Sequence, residues 1–136
     1  MEDHAVYVVV RDGKCLFVQR SKQKKVLPGA WAFASGTVEP GESLFQTAER
    51  EAMEEVGMKV KAKKLLTKRD LPDVGVRLNF VICEPLGKPT KLDPAEAEQL
   101  AWMSMTDFFD KYTDEQIGHG LRWLRTQPKI WKAEGL

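Results

Sequence analysis

The segment that most constrains this chain runs from Gly36 to Met58, GTVEPGESLFQTAEREAMEEVGM. It reads as a loop opened by glycine, a single helix and a glycine stop. Ser43 and Gln46 form Ser-x-x-Gln, a capping box that satisfies two orphan N–H donors at a helix start. Gly57 stands where a left-handed residue closes a helix. Leu44, Phe45, Ala48, Ala52 and Val56 recur at helical spacing and make an apolar stripe that needs a partner layer. Beside it, Glu51, Glu54 and Glu55 share one edge of the helix. Each like-charge pair at such spacing costs about 0.2–0.5 kcal/mol, and the three lie near the negative end of the helix dipole. A hard divalent cation turns that repulsion into ligation, because carboxylate oxygens suit magnesium or manganese. A solvated acidic helix face is the alternative, since exposed glutamate is common.

The neighbouring residues decide between the two. Gly36, Glu42, Arg50, Glu51, Glu54, Glu55 and Gly57 fall on the pattern G-x5-E-x7-R-E-U-x-E-E-x-G-U, where U is apolar; Ala52 and Met58 fill the U positions. Seven fixed positions in so short a window are far more specific than a lone glycine motif. The segment resembles the signature of the Nudix hydrolases, which cleave nucleoside diphosphates linked to another group. The resemblance implies a pyrophosphohydrolase that uses Mg²⁺ or Mn²⁺. It implies Glu51, Glu54 and Glu55 as metal ligands, with Glu51 and Glu54 counted also among the catalytic residues. Arg50 is implied to orient carboxylates. Relatives carry Pro-Gly-Gly where this chain has Ala34-Ser35-Gly36. A backbone carbonyl there, at Ser35 beside Gly36, is implied as a further ligand, provided the local backbone accepts a Cβ.

Hydrolysing a pyrophosphate requires cations to neutralise phosphate oxygens, orient water and lower its pKa. Acids outside the motif complete such sites in relatives, and Glu96 is favoured over Glu98 for that role. Arg20, Lys22, Lys24 and Lys25 form a basic loop, from which Arg20 and Lys25 are expected to meet substrate phosphates. Trp31, Phe33 and Phe80 are aromatic and could stack a base, Trp31 being the one assigned to the substrate, with packing in the core the alternative for each. His119 is a lesser candidate for a base or ribose contact.

The rest of the chain frames this segment. Ala5–Val10 reads as a buried strand, Asp12-Gly13 as a two-residue hairpin turn, and Lys14–Arg20 as a second strand. Trp31–Ala34 reads as a short strand. Lys59–Lys63 alternates, its lysines suiting an edge strand. A weaker strand falls at Leu65–Arg69, a strong one at Val76–Glu84, and a short one at Glu98–Met103. A helix over Thr106–Tyr112, capped by Thr106, and a last helix from Asp114 through Ile117, Leu121 and Leu124 follow. This order suggests a mixed sheet between helices, and by resemblance the α/β/α sandwich of the Nudix fold, with residues 1–136 as one domain.

The net charge of +1 and the absence of a long apolar run argue against bulk attraction to nucleic acid or membrane. The acidic N-terminus lacks a signal core, and Cys15 and Cys83 read as buried free thiols. The expectation is therefore a cytoplasmic enzyme, monomer or homodimer, acting on a small-molecule nucleotide. A domain that binds nucleotides without cleaving them is the competing expectation; such modules tend to lose acids that are all retained here.

Overall fold

The computed structural model describes residues 1–136. The strands are β1 (Glu2–Arg11), β2 (Lys14–Arg20), β3 (Trp31–Ala32), β4 (Ser35–Thr37), β5 (Val60–Leu71), β6 (Val76–Pro85) and β7 (Ala97–Met103). The helices are α1 (Leu44–Val56), α2 (Met105–Lys111), α3 (His119–Arg125) and α4 (Pro128–Lys132), with a 3₁₀ turn at Asp114–Gln116. The strands form one mixed sheet in the order β3-β2-β1-β6-β5, with β4 joined to β1 and β7 to β2.

The valine run of β1 is central. It pairs in parallel with β6 from Glu2↔Val76 to Val9↔Cys83 and antiparallel with β4 through Ala5↔Gly36 and Val6↔Ser35. Because side chains alternate along a strand, β1 feeds both layers. Ala5, Tyr7 and Val9 pack with Ala48, Ala52 and Val56 of α1. Val6 and Val8 face the opposite way, towards Phe17, Phe80, Phe108, Leu121, Leu124 and Trp131. The result is an α/β/α sandwich with α1 on one face and α2, α3 and α4 on the other. The β1–β2 turn has φ of +51° at Asp12 and +76° at Gly13, the positive pair that a type I′ hairpin requires. Both cysteines are buried and free. No helix is long and apolar enough to cross a membrane.

Several elements differ from the sequence expectation: the strand expected at Trp31–Ala34 stops at Ala32, and β4 and α4 are additional. β5 is one continuous edge strand, not a strong and a weak one. Its register slips between Ala62 and Lys64 and again between Leu65 and Thr67; each bulge shifts the alternation by one residue and hides the continuity. The expected last helix is broken: Ile117 is extended and bridges Trp31, and Gly118 N–H donates to the Trp31 carbonyl at 2.9 Å before α3 starts. Trp131 belongs to a short further helix, α4, and is 4% exposed, its indole N–H donating to Leu124 O of α3 at 2.9 Å. Finally, α2 is capped by Ser104, whose Oγ accepts from Asp107 N, and not by Thr106.

Candidate active site

The start and end of α1 are fixed locally. Ser43 Oγ accepts from Gln46 N at 3.1 Å, and Gln46 Oε1 accepts from Ser43 N at 2.9 Å. Gly57 closes the helix at φ +59°. Packing of Ala48, Ala52 and Val56 onto the sheet then sets the rotation of the helix. That rotation brings Arg50, Glu51 and Glu55 to the seam between α1 and β4.

Arg50 is the hub of this seam. Its Nε and Nη2 donate to the two Glu42 oxygens at 2.7 and 2.9 Å, the bidentate geometry of strong guanidinium–carboxylate pairs. Nη1 reaches Glu51 Oε1 at 2.8 Å and Glu54 Oε2 at 3.2 Å, and Nη2 also reaches Thr37 O at 3.2 Å. One side chain thus ties the glycine loop to the helix, which an isolated surface pair would not do. The bonds from Arg50, with one from the Thr47 hydroxyl, hold the Glu42 carboxyl down at about 2.

Glu51 lies directly over Gly36. A Cβ at Gly36 would sit 2.1 Å from Glu51 Cδ, so this glycine is required for space and not for a left-handed backbone. Ser35 is likewise outside the left-handed region: the only non-glycine residues with positive φ are Asp12 and Leu27. Its Cβ is therefore no obstacle. Glu55 differs from its neighbours. Its Oε1 is buried and has no hydrogen-bond partner. Burial, then the neighbouring Glu51, then Glu96, push its carboxyl well above the usual range.

These groups line a cleft of about 350 Å³ formed by Ser35, Gly36, Thr37, Glu51, Glu54, Glu55, Asp93 and Glu96, with no apolar residue among them. No three of the acids converge closely enough to form a ready-made cation cage, and Arg50 engages oxygens of Glu51 and Glu54. Hard cations at phosphate sites draw on one or two carboxylates together with water and phosphate oxygens, so the donor set fits Mg²⁺ or Mn²⁺. The unpartnered Glu55 oxygen is the clearest sign of that fit.

Two further hollows continue from the cleft. A mixed one contains Arg20, Lys24 and Phe33 and shares Ser35, Glu55 and Glu96 with the acid cleft. An apolar one, of about 180 Å³, is walled by Val6, Leu27, Phe33, Leu78, Phe80 and Leu121, with Arg20, Ser35 and His119 at its polar edges. Ser35 belongs to all three.

Several expected residues fall elsewhere. Trp31 is 6% exposed and packs on Tyr112 with ring centroids 5.4 Å apart; the pairing of β3 with β2 carries it into the core, away from all three hollows. Lys25 is exposed and lines none of them. Lys24 is the loop lysine that turns inward, its Nζ 2.5 Å from Glu96 Oε2. Glu98 accepts from Lys22 N at 3.0 Å and anchors the loop. Sequence reasoning missed Asp93. The available signal was an acid three residues before Glu96 in the same loop, and the backbone contact of Asp93 N with Glu55 O is visible only in three dimensions.

The NUDIX domain family model matches residues 1–124. Over 101 residues the chain is 33% identical to the NAD-capped RNA hydrolase NudC of Chromobacterium violaceum, a match covering 74% of this chain and 37% of that protein. Over 105 residues it is 31% identical to the human 8-oxo-dGDP phosphatase NUDT18, covering 75% of this chain and 31% of that protein. The chain thus spans about a third of the length of these curated relatives. In structure it is similar to a NUDIX hydrolase from Nitrosomonas europaea, with a TM-score of 0.75 over 98% of this chain and 90% of that one, at 20% identity. That likeness is one of fold.

Proposed function

We infer that this chain, which belongs to the NUDIX family, is a divalent-metal-dependent pyrophosphohydrolase. Its substrate is a nucleoside triphosphate or a nucleoside-diphosphate derivative, cut at a phosphoanhydride bond to release a nucleoside monophosphate. One observation carries this reading: an all-polar acid cleft opens, past Ser35, through a throat containing Arg20 and Lys24 into an apolar hollow. That sequence of environments matches cation, phosphate chain and base.

Glu51, Glu54 and Glu55 would hold Mg²⁺ or Mn²⁺, with Glu96, Asp93 and the backbone at Ser35–Gly36 completing the donor set. When bound, the cation would neutralise charge on the phosphate oxygens and lower the pKa of a water, so that the nucleophile is available near neutral pH. Arg50 fixes Glu51 and Glu54 from behind while anchored to Glu42. Its role is positioning, since its donors are spent on carboxylates and on Thr37 O. Arg20 and Lys24 take phosphate oxygens of the substrate, Lys24 exchanging its Glu96 partner for a phosphate. Phe33 and Phe80 offer apolar walls for a base, and His119 a polar edge.

The test is release of phosphate, pyrophosphate and nucleoside monophosphate across nucleoside triphosphates, nucleotide sugars, 8-oxo-dGDP and NAD-capped RNA, with Mg²⁺ or Mn²⁺. The last two substrates come from the names of the relatives. Turnover that EDTA abolishes is the expected result. Nucleotide binding without turnover on any of them would turn the reading to a non-catalytic binding module.

A further inference from the structure

Four buried side-chain polar atoms in this chain lack a hydrogen-bond partner, and two of them, Tyr7 Oη and Glu55 Oε1, belong to elements packed on each other, β1 and α1. Tyr7 lies on β1, 2% exposed, on the face that packs against Ala48, Ala52 and Val56 of α1. A phenylalanine would fill that place equally well, so the layer has no use for the hydroxyl. Its backbone is held next to the cleft: Tyr7 N donates to Ala34 O at 3.1 Å, and the two preceding residues pair with Ser35 and Gly36.

The other carboxylates around the cleft already have orienting partners. Arg50 serves Glu42, Glu51 and Glu54, and Lys24 serves Glu96. Glu55 has no cation beside it, and its Oε1 has no donor. We propose that Tyr7 is the positioning residue for Glu55: once Glu55 is ionised against a cation, the unpartnered Tyr7 hydroxyl would donate to its carboxylate and fix the orientation in which it ligates. Donors of this kind behind a ligating group set its orientation and strength, and their loss typically weakens metal binding by about 10–100-fold. The proposal rests on Glu55 being a metal ligand.

The test measures Mn²⁺ affinity by electron paramagnetic resonance on wild type, Tyr7→Phe, Glu55→Gln and the double variant, with thermal unfolding in EDTA alongside. Tyr7→Phe is expected to bind Mn²⁺ at least tenfold more weakly, while melting in EDTA no lower than wild type. In the Glu55→Gln background the same substitution should have no further effect on affinity, because two residues acting through one contact are not additive. Wild-type binding with Tyr7→Phe within twofold of it would overturn the positioning role and leave the metal site standing. A Tyr7→Phe protein that melts well below wild type in EDTA would show that the hydroxyl serves the fold, and would overturn it also. Absence of Mn²⁺ binding by the wild type would remove the metal reading and this inference together.

Discussion

Gly36→Ala is the sharpest probe of how the cleft is built. The added Cβ would lie 2.1 Å from Glu51 Cδ, 2.2 Å from Oε1 and 2.4 Å from Cγ, more than 1 Å inside ordinary contact, roughly 3.5–4.0 Å between carbons. Either Glu51 swings away or β4 retreats from β1. The first breaks the 2.8 Å bond from Arg50 Nη1 to Glu51; the second breaks the pairing of Gly36 with Ala5. Losing a charge-assisted hydrogen bond costs about 1.5–3 kcal/mol. For a domain of this size that is a fall in Tm of roughly 5–15 °C. Because Glu51 is displaced as well, hydrolysis should drop about a hundredfold or more, on the order of 3 kcal/mol in the barrier. The assay is thermal unfolding with a rate measurement, repeated in a Glu51→Ala background. If the clash is the cause, Gly36→Ala should cost little once the Glu51 side chain is gone, a coupling that a double-mutant cycle reads directly. An equal penalty in both backgrounds would refute the argument and point to the β4 backbone alone.

Two further outcomes follow from the same geometry. Lys24→Met removes the inward cation beside Glu96 and should raise KM for a triphosphate about tenfold with kcat little changed, the pattern of lost uniform binding; Lys25→Met should do neither, and equal effects of the two would sink the assignment. Glu42 has a folded pKa depressed to about 2 from an ordinary 4.5, so the stability it contributes is complete above pH 4.5 and is lost as pH falls towards 2. Wild type should therefore lose more stability than Glu42→Gln across that window in acid unfolding, and parallel curves would contradict it.

The parts of this molecule legible in its sequence are those decided by neighbours along the chain. Both ends of α1 come from Ser43, Gln46 and Gly57, and the β1–β2 hairpin from Asp12-Gly13, each a local pattern with a local cause. Edge protection of β5 by Lys59, Lys61 and Lys63 was equally visible. The full length of β5 was not, because its two bulges break the alternation that periodicity relies on. Nor was the break at Ile117, where pairing with Trp31 outweighs the helical spacing of Leu121 and Leu124. In the site, the reach of Arg50 to both Glu54, four residues on, and Glu42, in the loop before the helix, was legible from the motif, and its shortest bond goes to Glu42. The motif glycine at 36 announces itself, but not its reason, which is the volume of Glu51. Asp93 and Lys24 enter through loops whose paths are set by tertiary contacts, and Trp31 leaves the site for the same reason.

The distribution of charge along α1 separates glutamates that look alike in the sequence. Read by spacing, Glu51 repels Glu54 at i,i+3 and Glu55 at i,i+4, and nothing tells Glu54 from Glu55. In the fold, Arg50 compensates Glu51 and Glu54, so Glu55 is the carboxyl left without a compensating cation, and it is also the one with an unpartnered buried oxygen. Neutralising Glu54 and neutralising Glu55 should then have opposite effects on the metal-free protein. Glu54 is 58% exposed, and Glu54→Gln forfeits a surface i,i+4 pair worth about 0.3–0.5 kcal/mol, a small loss at any pH near neutrality. Glu55 has a folded pKa above its unfolded value, so the folded state binds the extra proton. Relative to a neutral side chain, its stability is intact below the unfolded pKa and declines as pH rises towards the folded one. Glu55→Gln should therefore gain on wild type steadily between pH 5 and 8 in EDTA, on the order of 1 kcal/mol for each unit of pKa difference covered. Saturating Mg²⁺ should reverse the order, because only the wild type then gains the free energy of cation binding. Thermal unfolding at several pH values, with EDTA and with Mg²⁺, decides the matter. A Glu55→Gln advantage that does not grow with pH, or one matched by Glu54→Gln, would mean that the charge on this helix is shared as the bare spacing implies.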